Sequence, residues 1–101
     1  MLTTLKVFTG SQLISLERHR QIEMEDFSAE NDSRYVQREL VMAALAYACT
    51  DGTPEHDAEA KQLFWPWGDK WYKPSHEPIR NLVKAGALIA AEIDRLNAPT
   101  P

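Results

Sequence analysis

The spacing of apolar and polar residues along the chain predicts a series of helices. The first runs from about Ser11, which is a suitable N-cap residue, to Glu25. One face of this helix contains residues that are three or four positions apart, namely Leu13, Leu16, Arg20 and Met24. The opposite face is charged, so the pattern is typical of an amphipathic helix.

A second helix is predicted over residues 34–49, after three residues that offer capping oxygens, Asn31, Asp32 and Ser33. Residues 40–48 are rich in strong helix formers and contain no charged residue, which predicts a well-buried helix. Asp51 and Gly52 are expected to end it.

A short, exposed third helix is expected next. Thr53 and Pro54 are typical of an N-cap and a first helical residue, and the pattern continues to about Leu63. Asp57 and Lys61 are four residues apart, the spacing that allows an ion pair on a helix.

The last helix is predicted from about Ser75 to Leu96, with Pro78 in its first turn. Residues 85–91 are apolar on every face, which implies neighbours on several sides. The whole pattern predicts one all-α domain over residues 1–101, a small bundle of three main helices, one short helix and an ordered aromatic loop. Residues 1–10 would form a short strand or an extended arm, 11–96 the helical core, and 97–101 a flexible tail.

The aromatic loop, residues 64–74, contains all three tryptophans of the chain. A planar base would stack on Trp65, Trp67 or Trp71, while a nearby cation meets a phosphate. The cations available for that role are Lys70, Lys73 and Arg80. The alternative is that the rings cover the bundle, since aromatic burial is a large hydrophobic gain for a small domain.

Two cations in the last helix, Arg80 and Lys84, lie one turn apart and form a positive stripe. This stripe is a candidate site for an anion. The alternative is a structural pairing with acids on a neighbouring helix, for which Glu39 in the apolar second helix is a candidate.

Composition narrows the class of protein. Hydrophobic residues make up 44% and charged residues 26%, as in ordinary globular domains. The net charge is -4, and this acidity argues against duplex nucleic acid as a partner, although residues 61–101 are mildly basic.

The single cysteine, Cys49, excludes an intramolecular disulfide and fits a reducing cytoplasm. We also expect no secretory signal and no membrane insertion, because the longest apolar run is too short to cross a bilayer. No helical pair of histidines, nucleophile elbow or phosphate-binding glycine loop occurs in the sequence, so no catalytic residues are assigned.

Several segments together resemble a known group of proteins. They are Glu17-Arg-His-Arg-Gln-Ile, the stretch around Glu39-Leu40, the Trp65-Pro-Trp loop with Trp71 and Lys73-Pro74, and residues 82–96, LVKAGALIAAEIDRL. This combination resembles a family of small uncharacterised proteins of tailed phages and prophages, over roughly residues 14–96. The resemblance implies the cytoplasm of an infected bacterial host and supplies no catalytic residues.

A weaker similarity is to the all-helical nucleotide pyrophosphohydrolases of the MazG type. That family holds magnesium through paired acidic residues on two helices, and Glu23 and Asp26 have the spacing of one such pair. The second pair is missing, because Glu92 and Asp94 point in different directions on a helix.

The sequence therefore predicts a phage-encoded, non-enzymatic binding protein without a cofactor. It would sequester a nucleotide-like ligand or inhibit a host defence protein through the aromatic loop and the last helix. The alternatives are a magnesium-dependent hydrolase and a structural oligomer. A homodimer is expected around the last helix, where Gly86 and the alanines at 85, 87, 90 and 91 would let two copies cross closely.

Overall fold

A computed structural model describes residues 8–25 and 38–98 of the chain. Within these ranges the secondary structure is helical, with no strand, and consists of α1 (Gly10–Glu25), α2 (Glu39–Ala48), α3 (Pro54–Phe64), a 3₁₀ turn (Asp69–Trp71) and α4 (Pro78–Asn97). The predicted all-α bundle is confirmed. Most of the N-terminal arm, the capping residues at 31–33 and most of the tail lie outside the described residues.

Helix α4 is the centre of the bundle. It packs against α2 and α1, and α3 packs in turn against α2. The core between these helices consists mainly of small side chains, and its members are Leu40, Ala43, Ala44, Tyr47, Ala85, Leu88 and Ala91. Since most of them are alanines, the α2 and α4 backbones can approach closely, and the aromatic loop packs on the edge of the core.

Helix α1 begins one residue earlier than predicted, and its N-cap is Thr9 rather than Ser11. The Thr9 hydroxyl accepts a hydrogen bond from the Gln12 backbone N–H at 3.2 Å, and the Gln12 side chain accepts one from the Thr9 N–H at 2.8 Å. This reciprocal pair is a capping box, which satisfies two backbone donors at the start of the helix.

The charged side of α1 is the buried one, whereas the side with the leucines is largely exposed. Leu16 and Met24 are 55% and 73% exposed, while Glu17 and Arg18 are 3% and 8% exposed. The reason is ion pairing with α4: Arg18 contacts Asp94 at 2.9 Å, and Arg80 contacts Glu17 at 2.7 Å. A charge can be buried when it is paired and hydrogen-bonded, and here the partners lie on the distant helix.

Helix α2 begins at Glu39, later than the predicted start near residue 34, and residues 34–37 lie outside the described residues. Arg38 immediately before it has φ of 69°, a left-handed conformation that interrupts an α-helix. The predicted burial of α2 is confirmed. The helix ends at Ala48, and Gly52, with φ of 91°, adopts the positive φ that glycine tolerates best.

Helix α3 begins at Pro54 as predicted and has one buried residue, Ala60, so its exposed character is confirmed. The predicted pair of Asp57 with Lys61 is not the one formed. The Asp57 carboxylate accepts hydrogen bonds from the backbone N–H groups of residues 51 and 52, at 3.0 and 3.2 Å. Lys61 contacts Asp69 at 3.5 Å, so it ties α3 to the aromatic loop.

Helix α4 begins at Pro78, three residues later than predicted, because Ser75 belongs to a hydrogen-bonded loop. Asn81, with no exposed surface, accepts a hydrogen bond from the Ser75 N–H at 2.7 Å. Its amide donates to the Ser75 carbonyl at 2.8 Å and to the Thr50 carbonyl at 3.1 Å. Asn81 thereby fixes the end of the aromatic loop to the end of α2.

The apolar stretch at 85–91 obtains most of its cover within the chain. Ala85, Ala87 and Ala91 are at most 3% exposed, and a β-carbon placed on Gly86 would lie 2.6 Å from Ile14 Cδ1. The small residues expected to mediate a dimer crossing are therefore in contact with α1 and α2. Within the described part of the chain, no helix is both long and apolar enough to span a membrane.

Candidate functional site

A cleft of about 740 Å³ opens between α1, α4 and the aromatic loop. Its walls come from all four parts of the fold that meet there: α1, α2, the loop and α4. The lining residues are Arg20, Gln21, Met24, Glu25, Tyr47, Trp65, Trp67, Gly68, Trp71, Lys73, Arg80, Lys84 and Leu88.

Six of the seven residues that the sequence predicts as a binding site line this cleft, namely Trp65, Trp67, Trp71, Lys73, Arg80 and Lys84. The seventh, Lys70, is not part of the lining. Its ammonium lies 4.9 Å from the centre of the Trp71 ring, a cation–π distance, on the 3₁₀ turn beside the cleft. The fold thus brings the loop and the cationic stripe of α4 to one place.

The rings of the aromatic loop divide into a packed group and an exposed one. Trp65 lies edge-on to Tyr47 and to Trp67, with centroid distances of 5.4 and 5.3 Å, and 5.0 Å from Tyr72. These contacts place Trp65, Trp67 and Tyr72 against the hydrophobic core. Trp71 is 56% exposed. Trp65 and Trp67 therefore both cover the core and line the cleft, whereas Trp71 lines the cleft from a more exposed position.

Hydrogen bonds hold the loop in this shape. The Trp65 indole N–H donates to the Gly68 carbonyl at 3.1 Å, and the Lys73 backbone N–H donates to the Tyr47 hydroxyl at 3.0 Å. The Tyr72 hydroxyl is hydrogen-bonded to the Thr50 hydroxyl, which in turn donates to the Ala46 carbonyl at 2.6 Å. These hydrogen bonds anchor the loop to α2 and to the segment that follows it.

The cationic side of the cleft is organised by one buried carboxylate, Glu17, which lies beneath it. Arg20 donates two hydrogen bonds to Glu17, at 2.9 and 2.8 Å, and Arg80 lies 2.7 Å from it. Burial acts to raise the pKa of Glu17, but the hydrogen bonds from Arg20 and Arg80 outweigh it and lower the pKa. Glu17 is thus a fixed anion that orients two guanidinium groups.

Lys84 also lines the cleft. Its ammonium donates to the Lys73 carbonyl at 2.5 Å and lies 5.3 Å from the centre of the Tyr47 ring. Burial, followed by the nearby charge of Arg80, lowers the pKa of Lys84. An anion placed beside Lys84 would offset both effects, because it favours the protonated form.

The cationic stripe was alternatively expected to pair with acids on a neighbouring helix, with Glu39 as a candidate. Arg80 does form such a pair, but with a different acid. Arg80 forms its ion pair with Glu17 of α1, not through the apolar α2. Even so, the Arg80 side chain is 37% exposed and lines the cleft. Structural pairing and access to a ligand therefore coexist at this residue.

The floor of the cleft contains residues that the sequence did not single out. Gln21, Tyr47 and Leu88 are 3%, 7% and 1% exposed, respectively. Burial raises the pKa of Tyr47 to about 12, so its phenol stays protonated at neutral pH. The spacing of Glu17, Arg20 and Gln21 on one face of α1 was the signal that could have identified this polar patch.

The expected magnesium site rests on Glu23, which does not line the cleft, and on Asp26. Glu23 is exposed on α1, and Asp26 lies outside the described residues. Of the two further acids considered, Asp94 contacts Arg18 at 2.9 Å and Glu92 contacts Arg95 at 2.6 Å. Among the described residues, no three histidine, cysteine or acidic side chains are grouped as metal ligands would be.

Comparisons with known proteins give no assignment for this fold or this cleft: no family model, no curated protein and no solved structure matches the chain.

Proposed function

We propose that this protein is a non-enzymatic binding protein that holds a nucleotide-like ligand, a planar ring joined to an anionic group, in the cleft. One observation carries the proposal. Three tryptophans and four cationic side chains, Arg20, Lys73, Arg80 and Lys84, line one cleft in a chain whose net charge is -4.

The two groups of side chains suit the two halves of such a ligand. Stacking of a base on an aromatic side chain contributes about 1–3 kcal/mol, and it tolerates different bases because each has a π-face. Guanidinium and ammonium groups form charge-assisted hydrogen bonds to phosphate oxygens. Against the four cations, the cleft itself has one carboxylate, Glu25, which is paired with Arg20.

The state of the acidic groups favours binding over catalysis. Glu17 accepts hydrogen bonds from Arg20, Arg80 and Gln21, and its pKa is lowered, so it is a weak base. Glu25 is engaged by Arg20. A general base needs a pKa near the working pH and access to the proton that it removes. Glu17 does not meet that description, because its pKa is lowered and its side chain is buried.

The resemblance to small proteins of tailed phages gives the proposal a biological setting. In that setting the ligand would be a nucleotide of the infected bacterium, and sequestering it in the cytoplasm would suppress the response that depends on it. A second candidate is inhibition of a host defence protein. Trp71 and the apolar residues exposed on α4 favour it, because large exposed apolar groups are typical of protein contacts.

Self-association is part of the proposal. Four half-exposed side chains form a stripe along one side of α4: Leu82, Ile89, Ile93 and Leu96. Leu82, Ile89 and Leu96 are seven residues apart, which is the repeat by which two helices pack along a seam. A dimer of this protein would therefore use the α4 stripe, defined by these four residues, instead of the small residues.

The proposed function is tested by calorimetric titration of the full chain with AMP, ADP and ATP at low salt, with adenosine and inorganic phosphate as half-ligands. We expect a nucleotide to bind more tightly than either half. Lys84→Gln should weaken binding, whereas Arg38→Gln, at an exposed cation that does not line the cleft, should not. No binding of any nucleotide, or equal losses in both variants, would contradict the proposal.

The hydrolase alternative is tested with the same panel. Incubation with magnesium or manganese, followed by assay of released phosphate or pyrophosphate, should show no turnover. Sustained release that Glu23→Gln abolishes would favour the magnesium-dependent enzyme over the binding protein.

A further inference from the structure

Gln21 is a buried amide at the floor of the cleft whose oxygen has no partner. The residue is 3% exposed. Its side-chain nitrogen donates to the Glu17 carboxylate at 3.1 Å. Among the described residues, Gln21 Oε1 is the buried side-chain polar atom without a hydrogen bond.

The orientation of this amide is fixed by its neighbour. An ionised carboxylate only accepts hydrogen bonds, so the Gln21 NH₂ group must face Glu17, and the oxygen must face away from it. Exchanging the nitrogen and oxygen would place two acceptors against each other. The unpaired atom is therefore an acceptor, and it needs an N–H or O–H donor from elsewhere.

The cleft has an order from rim to floor. The cations are at the rim, where the Arg20 and Arg80 side chains are 40% and 37% exposed. The floor is formed by Gln21, Tyr47 and Leu88, each at least nine-tenths buried. A phosphate would stay at the half-solvated rim, because burying its charge away from the cations is costly. The ring would then enter between the tryptophans, with one edge directed at the floor.

We propose that Gln21 selects ligands whose base presents an N–H donor at that inner edge, such as the exocyclic amine of an aminopurine nucleotide. This inference rests on the proposed function of the cleft. A base with such a donor satisfies Oε1, whereas a base without it leaves a buried acceptor unpaired. Loss of a hydrogen bond of this kind is expected to change affinity about tenfold.

Because the Gln21 oxygen is buried, a donor on the ligand reaches it only after small shifts of the side chains at the floor. Side-chain rearrangement at a binding site is common even where the backbone does not move. A purine suits this arrangement better than a pyrimidine, because its two fused rings offer a larger face to the tryptophans.

The test compares two probes that differ in one amino group, AMP and purine riboside 5′-monophosphate, by calorimetric titration of the full chain. Wild-type protein should bind AMP about tenfold more tightly. In Gln21→Met, which keeps the length of the side chain but removes the acceptor, the ratio of the two affinities should fall to about one. The ratio compares two ligands on one protein, so a general effect of the substitution on the fold cancels.

Gln62→Met, an exposed glutamine on α3, is the matched control and should keep the wild-type ratio. Equal binding of the two probes by wild-type protein, or an unchanged ratio in Gln21→Met, would overturn the role of Gln21 and leave the proposed function standing. If neither probe binds to wild-type protein, this inference fails; if ADP and ATP do not bind either, the proposed function fails with it. Equal binding of the two probes by wild-type protein overturns the role of Gln21 even if Gln21→Met does not fold.

Discussion

Trp65 and Trp71 belong to the same loop but differ in what surrounds them. Trp65 packs on Tyr47, Trp67 and Tyr72 at the edge of the core, whereas Trp71 is 56% exposed. A tryptophan in packed surroundings contributes strongly to folding, and an exposed one contributes little. The same residue type therefore has a structural role at one position and is free for a ligand at the other.

From this difference we expect opposite results for two alanine substitutions. Trp65→Ala should lower the free energy of unfolding by about 3 kcal/mol. Trp71→Ala should change it by about 0.5 kcal/mol while weakening nucleotide binding. Chemical denaturation measures the first effect and calorimetry the second. Equal destabilisation by both substitutions would mean that Trp71 is also part of the core.

Glu17 makes stability depend on pH in the acid range. Its folded-state pKa lies below the ordinary value of 4.5, because hydrogen bonds from Arg20 and Arg80 outweigh the opposing effect of burial. A carboxylate with a depressed folded pKa contributes fully above its unfolded pKa. The contribution is lost as the pH falls below 4.5 and through the folded pKa.

Wild-type protein should accordingly lose stability as the pH is lowered below about 4.5, and Glu17→Gln should lose less over that range. At neutral pH the substitution should cost about 1–3 kcal/mol, a discounted value because Arg20 and Arg80 remain partly solvated. Urea denaturation at a series of pH values checks both points. An identical acid dependence in the two proteins would show that other carboxylates are responsible.

At the scale of helices, the packing of α1 on α4 depends on a close contact at Gly86. A β-carbon at this position would lie 2.6 and 2.9 Å from Ile14 Cδ1 and Cγ1. Alanine is a better helix former than glycine by about 1 kcal/mol, which favours a Gly86→Ala substitution, whereas the contact with Ile14 opposes it. The sign of the resulting change in stability therefore reports whether Ile14 can move.

We expect Gly86→Ala to destabilise the protein by about 1–3 kcal/mol, because the added methyl group overpacks the interface. In an Ile14→Ala background the same change should be neutral or stabilising, since the obstructing atoms are gone. Thermal or chemical unfolding of the four proteins in this cycle gives the coupling. Additive effects would mean that α1 does not approach α4 at this point.

The limits of sequence-based prediction are visible in these helices. The start of α3 at Pro54 could be predicted, and so could the loop that follows this helix. Threonine, proline and the aromatic residues there influence the structure of their own segment, so the local sequence is sufficient. The burial of the charged side of α1 could not, since it depends on Arg80 and Asp94, more than 60 residues away. Gln21 and Tyr47 were missed as cleft residues for the same reason.

At the scale of the whole molecule, the α4 stripe is the surface expected to join two copies. Ile89→Glu should shift the mass measured by light scattering from dimer to monomer, because a charge in the seam would be buried without a partner. Leu63→Glu, at a leucine of α3 that is 61% exposed against 49% for Ile89, is the control and should leave the dimer intact. A wild-type monomer at tens of micromolar would contradict this part of the account.

Substitutions at the small residues of α4 test a different property. Ala87 is fully buried within the chain, so Ala87→Glu should unfold the protein and not simply separate two copies. Circular dichroism distinguishes these results. A folded monomeric variant would mean that Ala87 lies at an interface between copies.

The central claim is that the cleft binds a nucleotide between its tryptophans, and intrinsic fluorescence tests it most directly because all three tryptophans of the chain line the cleft. Titration with AMP at low salt should give saturable quenching, with a dissociation constant equal to the calorimetric one. Raising the salt concentration should weaken the binding, since half-exposed cations hold the phosphate. Quenching that grows linearly with AMP and never saturates, in a protein shown to be folded, would contradict the claim.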